Sequence, residues 1–245
     1  MICFVSQYLT DNFVALWAIM AVASIASVIL IMSGPAFWFL YMKPTYKTWQ
    51  YKTLAAYPKP EVVALEIIQT CWGAVVSVTM PCLSVWLSLH GMNKGYCGFG
   101  AHGIAWEIAQ FFIIWIASDL YEWLYHWSGH KFDELWKVHK FHHKFHNPTP
   151  FAVIADCAMD NIARSAPLVF FPLVMETNLD TLFMTYIAFF YVYGVYLHSG
   201  HEVPWIVDAH NPIVNTSYHH CAHHAVSIKN KPLYTGFFFK IWDCV

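Results

Sequence analysis

The chain has 245 residues, of which 58% are hydrophobic, 18% aromatic and only 11% charged, with a mean hydropathy of +0.43. A soluble domain carries about 25% charged residues, so this composition excludes an ordinary soluble enzyme and points to a membrane-embedded unit. A formal net charge of −2 implies no polyanion partner, and no nucleic-acid partner is expected.

Residues 13–32, FVALWAIMAVASIASVILIM, form an uncharged run about as long as a bilayer crossing requires. AVAS at 21–24 imitates a signal-peptidase site, but no Lys or Arg precedes it and the apolar run continues past it. An uncleaved anchor is therefore expected. Residues 42–60, with Lys43, Lys47, Lys52, Lys59 and three prolines, predict a loop with room for an interfacial helix. A second apolar stretch, about 62–89, carries Glu66 near its start and Pro81 inside; Pro81 is expected to kink it. HGMNKGYCGFGAHG, 90–103, is a glycine-rich turn, and a third apolar stretch runs over 104–125. A fourth runs over 166–175, breaks at ETNLD and resumes over 181–197. That break, with Pro167 and Pro172, predicts a hairpin that enters and leaves by one side.

Twelve of the 13 Lys and Arg lie in 42–60 or after residue 130; only Lys94 sits in the 90–103 turn. The positive-inside rule then places 42–60 and the C-terminal part in the cytosol and the turn outside. The expected fold is all-α, a multi-pass membrane helical bundle of about four spanning segments with a cytosolic-side, histidine-rich di-metal site. Residues 1–103 read as an N-terminal membrane anchor region of two spans and a loop, and 104–245 as the catalytic region. The seven cysteines (3, 71, 82, 97, 157, 221, 244) are scattered, with no CxxC pair, and read as free buried thiols. NTS at 215–217 matches a glycosylation sequon but lies on the expected cytosolic side, where it is not used.

Fifteen histidines are the anomaly, and eleven of them fall in four short clusters. HWSGH places His126 and His130 four apart; HKFHH places His139, His142 and His143 at i, i+3, i+4. HSGH holds His198 and His201, and HHCAHH holds His219, His220, His223 and His224. On a helix these spacings put the rings on one face. Unpaired buried imidazole is costly, and clustered imidazoles repel once protonated, so metal binding is the expected explanation. A structural zinc takes four ligands; this many donors suits two ions with about five nitrogens each. No HExxH is present, since HEVPW at 201–205 lacks the second histidine. Imidazole suits iron, copper, nickel and zinc, so the donors do not name the metal. Asp119 and Glu122, seven and four residues before His126, share its face and are expected to accept hydrogen bonds from ligating rings. The isolated His90, His102, His146 and His210 read as packing or surface residues. Trp72, Trp86, Phe111, Phe112, Phe189 and Tyr193 read as lipid-facing or helix-packing, with an apolar channel as the alternative.

These motifs resemble a family. DLYEWLYHWSGH, WKVHKFHHKFHNPTPFA, LHSGHEVP, YHHCAHH and FFFKIWDCV are similar, in order and spacing, to the histidine boxes of the fatty acid hydroxylase superfamily, in its sterol desaturase and sterol methyl oxidase group. HNPTPFA at 146–152 looks closest to the sterol C5-desaturase branch. The resemblance covers about 104–243. It implies metal ligation by His126, His130, His139, His142, His143, His198, His220, His223 and His224, with His201 and His219 as further candidates. It also implies two non-haem iron ions, dioxygen as cosubstrate, and electrons from a separate cytochrome b5-type donor and its reductase, because no such domain is fused here. The implied reaction is desaturation or hydroxylation of a sterol or related lipid in the endoplasmic reticulum membrane. Trp127 stands where the family usually has a basic residue, and the chain stops at IWDCV where relatives continue, so the catalytic region is expected to be cut short at its C-terminus. Three other readings remain open at this level: a sphingolipid or fatty acyl hydroxylase, a non-catalytic metal-binding membrane protein, and a bis-histidine haem protein. The last needs only two axial rings and leaves most of the cluster unexplained.

Overall fold

The computed structural model describes residues 11–42, 54–203 and 208–244. Most of the loop expected at 42–60, and Cys3, lie outside the described residues.

Helix α1, Phe13–Met42, is one continuous rod that extends ten residues beyond the apolar run read from the sequence. Asn12 caps it by accepting from Ala15 N (3.0 Å). Its turns widen to π geometry over Val28–Met32 and again over Trp38–Met42. Pro35 has no N–H to return to the preceding turn and its ring crowds the carbonyl there, which a wide turn relieves. Helix α2, Pro60–Ser77, starts on a proline with Glu61 in its first turn, both favourable at an N-terminus. The kink expected at Pro81 is borne out: the helix breaks at Val78 and resumes as α3, Thr79–Leu89.

The 90–103 turn contributes β1, Gly95–Tyr96, and leads into α4, Ile104–Lys131, then the short α5, Asp133–His139. After two 3-10 turns come α6, Ala158–Ser165, and α7, Pro167–Val174. Strand β2, Thr177–Asn178, pairs in parallel with β1, Gly95 opposite Thr177. Helix α8, Leu179–Leu197, then returns, with a π stretch over Tyr186–Val192. The predicted hairpin is therefore present, and its tip docks on the 90–103 turn. Glu107 and Gln110 secure that docking: Tyr96 Oη donates to Glu107 (2.9 Å), and Asn178 N donates to Gln110 (2.8 Å). The last helix is α9, Ser217–Val226.

Among the described residues four helices are long and apolar enough to cross a membrane, namely Phe13–Met42, Pro60–Leu89, Ile104–Lys131 and Leu179–Leu197. All four run between two ends, one formed by the 90–103 turn and the hairpin tip, the other by the histidine clusters. An apolar core of Leu16, Val85, Ile114, Leu168 and Leu182 lies nearer the first end.

One correction concerns cysteine. Cys97 is disulfide-bonded, contrary to the reading of free thiols; Cys71, Cys82, Cys157, Cys221 and Cys244 form no disulfide. Asn215 is buried in a short pairing with 238–240, so the folded chain does not offer the sequon to a transferase.

Bonds from the first two spans hold the far end in place. Glu66, buried on α2, accepts from the backbone N–H and hydroxyl of Thr149, and Thr70 one turn on donates to Phe151 O. Together they pin the NPTPF loop. Tyr41 at the end of α1 donates to Ser199 O beside His198. Gly73 lies against the 3-10 turn that follows this loop, Ala152–Ile154: a Cβ there would sit 2.1 Å from Ile154 O. Gly73→Ala is therefore expected to destabilise by roughly 2–3 kcal/mol, measurable as a lowered unfolding temperature in detergent, although alanine is the better helix former.

Candidate metal centre

Nine buried histidines come together from four chain segments, in two groups. His126, His130, His139, His143 and His223 form one; His142, His198, His220 and His224 form the other, and within each group one donor atom per ring lies within 4.8 Å of the rest. Helix α4 delivers His126 and His130 on adjacent turns. Helix α5 and the 3-10 turn after it, His142–Lys144, deliver His139, His142 and His143; because His142 and His143 are neighbours, they face different groups. Helix α8 ends at His198, and α9 splits its face, His223 to the first group and His220 and His224 to the second. The rings of His143 and His224 stack 5.2 Å apart across the divide.

The remaining ring nitrogens decide what the inner ones can do. His126 Nδ1 lies 3.0 Å from Thr235 O, His223 Nδ1 2.6 Å from Leu233 O, His130 Nδ1 3.4 Å from Ile228 O and His198 Nδ1 2.8 Å from Gly194 O. A carbonyl only accepts, so each of these Nδ1 atoms carries the proton and each Nε2 presents a lone pair. Yet His130 Nε2 faces His223 Nε2 at 3.3 Å. Two lone pairs at that distance repel unless a cation lies between them. In the second group His142 Nδ1 sits 2.5 Å from Asp156 Oδ1, and its Nε2 faces His198 Nε2 at 3.4 Å. His126 Nε2 is buried with no hydrogen-bond partner. Across the two groups, Nε2–Nε2 contacts run 2.9–3.4 Å. Donors about 2.1 Å from one ion are separated by about 3.0 Å at right angles and about 3.4 Å in a tetrahedron, so the spacing and the donor chemistry fit one transition-metal ion per group.

Burial pushes His142, His143, His220, His223 and His224 well below the usual imidazole range, with neighbouring rings adding to the effect; burial takes His198 down to about 3. These rings are neutral, the form that binds metal. In the unfolded chain the same imidazoles take protons near pH 6.5. The unfolded state therefore binds more protons below that pH, so this part of the stability is full above about pH 6.5 and is lost as pH falls. Unfolding temperatures in detergent are expected to fall steadily from about pH 6.5 to about pH 5, with metal released over the same interval.

His201 and His219 stand outside both groups. His219 turns Nδ1 onto Thr216 N (3.2 Å) and closes a capping box on α9. His201 directs Nδ1 at Ser199 O (2.7 Å) and packs edge-on against Tyr41. Asp119 and Glu122 do not accept from the rings either. Asp119 accepts from Phe238 N (2.7 Å), Phe239 N (3.1 Å) and Trp242 Nε1 (2.7 Å). It thereby folds the C-terminal segment so that Thr235 O reaches His126. Glu122 pairs with Arg164 at 2.7 Å.

The carboxylates that face the imidazoles are Asp156 and Asp160, which the sequence did not single out. Asp156 meets His142; Asp160 Oδ2 lies 3.7 Å from His139 Nδ1 and its Oδ1 accepts from Tyr125 Oη (2.5 Å). Each group thus has one buried acid behind one of its rings. Arg164 donates to Asp156 at 2.7 Å and completes the chain Glu122–Arg164–Asp156–His142. Burial raises Asp156 against the pull of Arg164; burial also opposes ionisation of Asp160, but His139 and Tyr125 hold it below the usual carboxylate range.

Beside this chain, an apolar cavity of about 370 Å³ lies between α1, α2–α3, α6–α7 and α8. Tyr186, Phe190 and Tyr191 from the π stretch of α8 line it. None of the six aromatics considered from sequence does; Trp72 faces outward, and Phe111, Phe112 and Phe189 line a separate apolar pocket.

A bundle of four apolar, span-length helices with two buried histidine groups at one end defines a membrane protein whose imidazoles could hold metal. The fatty acid hydroxylase family model matches residues 111–245, more than half of the chain, and the chain belongs to that family. It is similar to a delta(7)-sterol 5(6)-desaturase of Candida albicans, 28% identical over 219 residues that cover 84% of this chain and 53% of the relative. The lathosterol oxidase of Mus musculus is 26% identical over 171 residues (68% of this chain, 54% of that one), and a delta(7)-sterol 5(6)-desaturase of Gibberella zeae is 29% identical over 131 (50% and 34%). The chain spans 34–54% of the length of these three relatives. No solved structure matches it. The resemblance read from the histidine boxes is thus borne out.

Proposed function

We propose that the chain is a membrane-bound, non-haem di-iron oxidoreductase that uses dioxygen to desaturate a sterol. The observation that carries this reading is the pair of adjacent cages whose Nε2 lone pairs face one another, in a family whose relatives here are named sterol desaturases and lathosterol oxidase. His126, His130, His139, His143 and His223 would hold one ion and His142, His198, His220 and His224 the other. When bound, the two irons supply the oxidant that an unactivated C–H bond requires, which no side chain can provide. Desaturation consumes the substrate CH–CH unit, one dioxygen, two electrons and two protons, and yields the alkene and two waters. Hydroxylation of the same lipid would yield an alcohol and one water.

The protein's part is orientation and exclusion of water. Carbonyls of Thr235, Leu233, Ile228 and Gly194 fix four rings, and Asp156 and Asp160 face two more. The apolar cavity is the place for the lipid body.

We place the histidine end on the cytosolic face of the endoplasmic reticulum membrane. The lysine distribution supports this, as does the disulfide at Cys97 in the opposite turn, since disulfides belong to the oxidising side. Exposed Lys131, Lys140 and Lys144 around the site suit an acidic electron donor of the cytochrome b5 type with its reductase. The reading is tested by supplying the purified protein with reductase, electron carrier and a delta(7)-sterol. Mass spectrometry is expected to show a product lighter by two hydrogens. No oxygen consumption with any sterol or ceramide would leave the metal-binding, non-catalytic reading in its place.

A further inference from the structure

The cavity beside the cages is mainly apolar, with walls that include Met20, Val28, Leu168 and Phe183; serines and Asn161 also line it, and among the described residues the charged side chains that reach it are Glu122 and Arg164. They bind each other at 2.7 Å, and Arg164 also holds Asp156 at 2.7 Å. One cation therefore faces two acids, and no net positive charge is left for a ligand. Hydrogen-bonding capacity is left. A guanidinium has five N–H donors and a carboxylate about four acceptor positions, and these contacts fill only part of each. The Arg164 side chain keeps 19% of its surface open.

The polar end also lies beside both cages. Glu122 precedes His126 by four residues on α4, about 6 Å along the axis, and Asp156 touches His142. Resting on the function proposed above, we infer that Glu122 and Arg164 select the end group of the lipid. The cavity takes an elongated apolar molecule with a single uncharged hydroxyl, hydroxyl end first, and turns away carboxylate, sulfate or phosphate ends. A hydroxyl both donates and accepts, which matches an open carboxylate position beside an open N–H. An anion would meet Glu122 and Asp156 with no free cation to offset its desolvation. A ligand without the hydroxyl would leave the pair's remaining groups facing hydrocarbon, the situation in which polar sites discriminate most strongly. This orientation brings the carbons nearest the hydroxyl to the cages, so oxidation falls close to that end and not on the distal tail.

The test is displacement of a radiolabelled delta(7)-sterol from the purified metal-loaded protein in detergent. Its competitors are the same sterol, the ketone at the hydroxyl carbon, the deoxy analogue and the sulfate ester. The expected order is alcohol, ketone, deoxy, sulfate, with the deoxy compound at least tenfold weaker than the alcohol and the sulfate weaker still. In Glu122→Gln one negative charge is removed, and the gap between sulfate and alcohol is expected to narrow at least tenfold. Equal binding of alcohol and deoxy sterol, or a sulfate that binds as tightly as the alcohol, overturns the inference. If the protein oxidises the deoxy sterol as readily as the alcohol, the function stands and the inference falls. If it neither binds nor oxidises any sterol, both fall. Should Glu122→Gln fail to fold, the ligand series on the unaltered protein decides alone.

Discussion

Replacing His142 with alanine is expected to empty the four-imidazole cage and reduce lipid oxidation to below about 1% of the unaltered protein; loss of a mere orienting partner behind a ligand already costs 10–100-fold. His142 is the ring through which that cage meets both its acid and its neighbour: Asp156 at 2.5 Å on one side, His198 Nε2 at 3.4 Å on the other. Its removal deletes one of four donors and leaves Asp156 buried beside a void. The five-imidazole group is built from other rings and should keep its ion. The expected metal content therefore falls from about two per chain to about one, which elemental analysis of the purified variant measures directly. Retention of full activity by this variant would contradict the assignment.

The second large effect is expected at Arg164, which touches no histidine. Its guanidinium lies between Glu122 and Asp156, at 2.7 Å from each; burial works against its charge, and the two acids keep it protonated. Arg164→Met keeps much of the volume and removes the charge, so two buried carboxylates lose their common partner. Breaking a buried pair in this way costs about 3–5 kcal/mol, a substantial share of a typical folding stability of about 5–15 kcal/mol. A large drop in unfolding temperature and reduced yield from membranes are expected. Arg164→Lys restores the charge but not the two-pronged geometry, and should recover only part of the loss. Because Arg164 acts on His142 through Asp156, the Met variant should also lose metal from the four-imidazole cage first.

The spans and the cages were readable from sequence for different reasons. Hydrophobic run length marked the spans directly, and Pro81 marked the break at Val78 because a missing N–H is a local property. The i, i+3, i+4 histidine spacings marked the rings that share a helical face. The division of labour was less accessible. His142 and His143 are neighbours and so point in different directions from their turn, which sends them to different groups; that split is not written in the spacing. His219 sits in the last box but spends Nδ1 on capping α9, a use that depends on where the helix starts. Asp156 and Asp160 lie in an irregular stretch and at the start of α6, more than ten residues from the rings they meet. No periodicity announces such a contact. Asp119 and Glu122 were on the expected helix, but sharing a face with His126 did not make them its partners. Asp119 instead holds the C-terminal segment, and through Thr235 it sets the same ring from a distance. The cavity was the least legible feature, since its lining comes from six separate parts of the chain and much of its aromatic wall from a π stretch in α8.

The most direct test of the two-cage centre is elemental analysis of the purified protein together with its optical spectrum. About two transition-metal ions per chain, iron foremost, with no Soret band, is the result expected. A preparation that folds and binds lipid yet carries no metal, or one whose colour comes from haem, would contradict it.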